Sequence, residues 1–190
     1  ASPRYLDRGA LGTPSVALSH ATREALRVAD VLKDMLAASA HGFATEDRGA
    51  GKPVARMDDT VDGLHRAIHA YLAALPAEAL SDEEAGRARR IQGFVIALEQ
   101  AADVLARDLA QHAAKRQRRG LVLAREGQGM LDSVHAALGA QLTLAVTVFL
   151  SDDLDAARQL VAAKEKLRET ERAAAARVVA SPSPSAAAAR

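Results

Sequence analysis

Apolar residues recur every three or four positions along most of this chain, a spacing that suits α-helices and leaves hardly a strand signal anywhere. Thr13 followed by Pro14 reads as an N-cap with proline in the first turn, and Leu18, Thr22, Ala25, Ala29, Leu32 and Leu36 then mark a helix from about 14 to about 42. Thr45 to Pro53, with Gly49, Gly51 and three charges, reads as a loop. A second helix begins between Pro53 and Asp58, carries Val61, Leu64, Ile68, Tyr71, Leu72 and Leu75, and stops at Pro76.

Ser81 with Glu84 three residues on has the pattern of a capping box and opens a third helix. Ile91, Phe94, Val95, Leu98, Ala102, Leu105 and Leu109 form its buried face, and it ends near the basic run from Lys115 to Gly120. A fourth helix spans about 121 to 150 with Leu131, Val134, Leu138, Leu142 and Val146 as its stripe, and Ser151, Asp152 and Asp153 cap a fifth. The expected fold class is therefore an all-α, antiparallel helix bundle.

Composition narrows what fills that bundle and what the chain can do. Apolar residues make up 49% of the 190 residues but aromatics only 3%, so the core must come from Ala, Leu and Val packed closely. No cysteine is present, which excludes disulfides, thiolate metal sites and cysteine nucleophiles. With 25 basic and 24 acidic residues the formal charge is +1, so no overall field draws the protein to nucleic acid. The densest apolar run, Leu142 to Leu150, is interrupted by Thr143 and Thr147, and no membrane span is expected. The chain opens Ala-Ser-Pro, without an initiator Met or a secretory signal segment, and reads as a piece of a longer product.

Read in order, ATREALRVADVLKDML, MDDTVDGLHRAIHAYL, ALEQAADVLARDL and VFLSDDLDAARQLVAAKEKLRETERAA resemble the PhoU-like domain at the cytoplasmic end of bacterial sodium/phosphate cotransporters. The leading PRYLDRGALGTPSVAL resembles the segment that joins the last membrane helix to that domain. The resemblance implies two three-helix repeats, the second incomplete. On it, residues 1–13 are a linker from an absent membrane domain, 14–114 the first repeat, 115–178 two helices of the second, and 179–190 a disordered Ser/Pro/Ala tail lacking the apolar content to fold. The apolar faces of the fourth and fifth helices are then short of a partner, and are expected to be partly exposed or covered by another copy of the chain.

The implied function is that of a regulatory or interaction domain of a sodium-dependent phosphate transporter, acting in phosphate uptake and homeostasis without catalysis. Its place would be the cytoplasmic face of the bacterial inner membrane, its partner the membrane domain of its own transporter, with a homo-oligomer as a further association. The alternative is a free-standing helical scaffold or dimerisation domain with no metal or phosphate role. A carboxylate-bridged di-metal enzyme would need Glu-x-x-His motifs on facing helices, and none is present.

PhoU proteins bind metal clusters through Glu/Asp-x-x-x-Asp motifs, and this chain carries Asp58-x-x-x-Asp62 and Glu99-x-x-x-Asp103. Carboxylates four apart lie one above the other on a helix, and hard oxygen donors suit a divalent metal or iron. The same spacing also describes solvated charges at a bundle edge, since two like charges there cost only about 0.2–0.5 kcal/mol. The positions of Asp58 and Asp62 correspond to Lys164 and Arg168 in the second repeat, where no second cluster is expected.

Other constellations have plainer readings. Asp30 and Asp34 share the spacing but project away from the apolar stripe. His65 and His69 are an i, i+4 imidazole pair without the Glu of a zinc-protease motif. The run Lys115, Arg116, Arg118 and Arg119 could touch phosphate headgroups, the one membrane contact of the chain's own, or be a solvated turn. Gly127-x-Gly129 lacks the preceding strand of a nucleotide site.

Overall fold

The computed structural model describes residues 2–44, 51–109, 115, 125–151 and 153–180. Five long helices account for most of them: α1 Pro14–Ala44, α2 Gly51–Ala73, α3 Asp82–Val104, α4 Arg125–Ser151 and α5 Leu154–Ala180. Among the described residues there is no strand, as the periodicity predicts. Two compact units result, residues 1–128 and 129–190.

In the first unit the helices begin where local chemistry tells them to. The Thr13 carbonyl accepts from the amides of Val16 and Ala17, opening α1 behind Pro14. At α3 the capping box is complete: the Ser81 hydroxyl accepts from Glu84 N at 3.2 Å, and the Glu84 carboxylate accepts from Ser81 N at 3.0 Å.

Two boundaries differ from expectation. α2 starts at Gly51, so Gly51, Lys52 and Pro53 are helical and not loop; proline fits a first turn because the amide it lacks would find no partner there. α3 leaves regular α geometry at Val104 and continues as a π-helical turn, Leu105–Leu109. Its expected continuation over 110–114, and Arg116 to Gly120, lie outside the described residues.

Cross-contacts fix the direction of travel. Arg87, near the start of α3, donates to the hydroxyls of Ser19 and Thr22 near the start of α1, so these two helices run the same way. Asp58, near the start of α2, feels the charge of Asp103 near the end of α3, so α2 runs against both. The core between them is built from heptad-like stripes: Val61, Leu64, Ile68 and Tyr71 on α2, and Ile91, Val95, Leu98 and Ala102 on α3. On α1, Ala17, Ala21, Ala25 and Ala29 are fully covered at steps of four, a ridge without bulk that lets neighbouring helices approach closely. Each fully buried Leu, Ile or Val contributes about 1.5–3 kcal/mol of transfer free energy.

The second unit is a helical hairpin. The Asp153 carboxylate caps α5, accepting from Asp155 N at 2.8 Å and Ala156 N at 3.3 Å. Ser151 closes α4 by donating to Thr147 O, while its hydroxyl accepts from Asp153 N; Asp152 lies outside the described residues. Halfway along, Gln141 donates to the Ala163 carbonyl at 3.0 Å and ties the two helices together. The α4 stripe of Leu131, Val134, Leu138, Leu142 and Val146 is half-buried rather than enclosed. Leu150, Leu154 and Val161 stand 55%, 70% and 64% exposed.

Within α4, Gly127–Ser151 is long and apolar enough to cross a membrane by length and composition, its most apolar 18-residue window having a mean hydropathy of 1.6. The longest uninterrupted apolar run is short, yet Ala keeps the average up while Gly, Thr and Ser lower it little, and Asp132 is the one carboxylate in the span. The tail after Ala180 lies outside the described residues; Val179 and Ala180 are still helical.

Candidate acidic groove between α2 and α3

Helix periodicity puts Asp58 and Asp62 one turn apart on α2, to one side of the buried Val54, Val61 and Leu64, and both are half-buried. On α3, Glu99 and Asp103 flank the buried Leu98 and Ala102 in the same way. Antiparallel packing of α2 against α3 then brings Asp58, Asp62 and Asp103 into one electrostatic neighbourhood. Burial pushes the Asp58 carboxyl above the usual carboxylate range, and the charges of Asp62, Asp103 and Asp59 push the same way, while Arg107 pulls against them. Glu99 is not among the charges that bear on Asp58.

Arg107, contributed by the π-helical turn, is the basic residue of this groove. Its guanidinium lies 2.8 Å from one Asp103 oxygen and 2.9 Å from the other. Sequence reading passed over it, although Arg107 four residues after Asp103 is a visible i, i+4 pair. The donor chemistry of Asp58, Asp62, Glu99 and Asp103 is that of a hard cation site. As the side chains stand, however, no three His, Asp or Glu residues among those described are grouped to hold a metal ion.

The remaining candidates are dispersed. Asp30 and Asp34 are exposed on α1; His65 is half-buried and His69 exposed on α2. Lys164 is exposed on α5, where Arg168 pairs with Glu165 at 3.2 Å. Lys115 is exposed. Gly127 and Gly129 sit inside α4.

A second polar centre lies at the other end of the first unit. Glu24 is completely buried on the core side of α1. One of its oxygens accepts from the backbone amides of Arg4 at 2.8 Å and Tyr5 at 2.7 Å, and the other from Arg27 at 2.8 Å. Arg27 also donates to the Ser2 carbonyl at 3.0 Å. The Tyr5 ring lies under the Arg23 guanidinium at 4.3 Å. Tyr71, at the C-terminal end of α2, donates its hydroxyl to the Asp7 carbonyl at 2.7 Å, and burial, with the Asp7 charge behind it, pushes its phenol above the ordinary value. The signal in the sequence was a lone glutamate in register with Ala17, Ala21 and Val28.

Comparison with known proteins gives this geometry a setting. The PhoU domain model matches residues 25–113, a little under half of the chain. That stretch takes in α2, α3 and most of α1, and with them Asp58, Asp62, Glu99 and Asp103. The protein described as "Putative inorganic phosphate export protein YjbB" in Salmonella typhimurium is 36% identical over 169 residues. Its counterpart in Escherichia coli K12 is 34% identical over 166. Each match covers 87% of this chain and 30% of the relative, so the chain spans about 30% of the length of the curated relatives it matches. No solved structure matches.

Proposed function

With the match to the PhoU domain model over residues 25–113 as the premise, we propose that this chain is a non-catalytic regulatory domain of a phosphate transport protein. The observation that carries the proposal is the likeness, along 87% of the chain, to relatives named for inorganic phosphate export. In this reading the domain lies on the cytoplasmic face of the bacterial inner membrane, packed against a sodium-coupled membrane portion that moves the phosphate. The sequence pointed to uptake, whereas the names of the relatives speak of export; direction of flux belongs to the membrane portion, and the role of the helical domain is the same in either case.

The groove of Asp58, Asp62, Glu99 and Asp103 is, in this proposal, the cation-responsive element. Its support is the gathering of Asp62 and Asp103 about Asp58, whose carboxyl is raised by burial first and by those charges next, a repulsion that a divalent metal or iron would relieve. Asp103 would have to leave Arg107 to take part. Chemistry from such an ion is electrostatic: it would hold α2 and α3 at a fixed spacing at their shared end.

A replacement experiment tests the reading. The matching segment of the Salmonella relative is exchanged for this chain or deleted, and phosphate release from phosphate-loaded cells is followed. Regulated release restored by the exchange and lost on deletion is the expected outcome; release indifferent to both changes rules the proposal out.

The exposed Leu150, Leu154 and Val161 favour a second reading for residues 129–190, as a dimerisation surface independent of phosphate. The two readings separate on whether a variant that abolishes self-association leaves phosphate release intact.

A further inference from the structure

The segment ahead of α1 is held to the bundle at two separate points. At the first, the buried Glu24 carboxylate receives two consecutive backbone amides, Arg4 and Tyr5, together with the Arg27 guanidinium, which also grips Ser2 O. At the second, Tyr71 of α2 donates to Asp7 O, one residue before the 3-10 turn Arg8–Gly12. The Asp7 side chain caps that turn through Gly9 N at 2.8 Å. Backbone groups make these bonds, so the grip is on the course of the chain and not on one replaceable side chain.

Such an arrangement is unlike a tether. A flexible linker transmits position only through its length and spreads its end over a wide volume. Here, to free residues 2–7, a fully buried carboxylate must lose two amide partners at once and leave Arg27 half-buried beside it. Two anchors on different helices also block rotation of the segment about either one.

We propose that residues 2–13 form a rigid two-point coupling, through which displacement of this segment is delivered to α1 at Glu24 and to α2 at Tyr71. α2 carries Asp58 and Asp62 at its opposite end, so this helix links the coupling to the acidic groove. The direction of signalling rests on the regulatory reading above; the rigidity does not, and is measured on this chain alone.

The absence of cysteine allows clean spin labelling. A pair of nitroxides at Pro3→Cys and the exposed Ala97→Cys on α3 is expected to give a distance distribution as narrow as a reference pair placed on α1 and α3. Glu24→Gln is expected to broaden it and to speed amide exchange of Arg4 and Tyr5 about tenfold, with the Val95 amide unchanged. Tyr71→Phe, a milder change that keeps the core filled, is expected to loosen Ala10 and Thr13 and leave Arg4 and Tyr5 protected. A broad distribution in the parent chain, or Arg4 and Tyr5 amides exchanging at unprotected rates, overturns the proposal whatever the phosphate experiment shows.

Discussion

Arg107 reaches back one turn to Asp103 and sits 2.8 Å from its carboxylate, on a residue whose charge adds to burial and to Asp62 in raising the Asp58 carboxyl. The pair is partly solvated, with the Arg107 side chain 70% exposed, so its worth to folding is under about 1 kcal/mol. Its greater effect is on the groove, where it neutralises one of the carboxylates a cation would need. Arg107→Gln is therefore expected to strengthen Mn²⁺ binding by about 1 kcal/mol, roughly fivefold, in calorimetric titration. Absence of saturable heat in both parent and variant would remove the metal from the proposed function.

Asp58 makes stability depend on pH in a defined direction. Its carboxyl is raised by burial first and by Asp62 and Asp103 next, so the folded chain binds this proton more tightly than the unfolded one. Stability falls as pH climbs from the ordinary carboxylate range through the raised value, and at neutral pH the penalty is fully present. Asp58→Asn should raise the urea midpoint at pH 7 by the equivalent of about 0.5 kcal/mol, and leave it unchanged near pH 3. A loss of stability at pH 7 would show instead that the Asp58 charge is favourably held.

Glu24→Ala removes the acceptor of three hydrogen bonds from a fully covered position. The expected cost is about 3 kcal/mol in equilibrium unfolding, from stranded donors and the cavity together. Glu24→Gln, which keeps the shape and one acceptor oxygen, should cost about half as much. Equal stability of parent and Glu24→Ala would mean that the N-terminal segment is not docked in solution.

Leu154 and Val161, seven residues apart on one face of α5, are each more than 60% exposed. Leu154→Ser with Val161→Ser should change folding stability by no more than about 0.5 kcal/mol, as for ordinary surface positions. In sedimentation equilibrium the parent is expected to self-associate and the double variant to shift toward monomer. A parent monomeric at high concentration would exclude a second copy as the cover for this face.

Local chemistry explains what was legible in the sequence. Ser81 with Glu84, Pro14 behind Thr13, and Asp153 ahead of Leu154 act within a few residues of themselves, so reading them requires no fold. The stripes on α2 and α3 were equally plain, and the one-turn spacing of Asp58 with Asp62 and of Glu99 with Asp103 followed from counting. Glu24 was not legible as an anchor because its partners are backbone amides of Arg4 and Tyr5, which carry no side-chain signature. Arg107 was missed because its effect on Asp58 passes through a neighbouring helix.

The π-helical turn at Leu105–Leu109 has an implication for how this chain tolerates change in length. A turn of this kind accommodates one residue more than an α-helical turn, in the manner of a single-codon insertion absorbed without breaking the helix. Deleting one residue there, Ala106 for example, should restore regular α geometry and place the arginine three rather than four positions after Asp103. The reading frame of the helix, rather than any one side chain in it, would then decide whether an arginine faces Asp103.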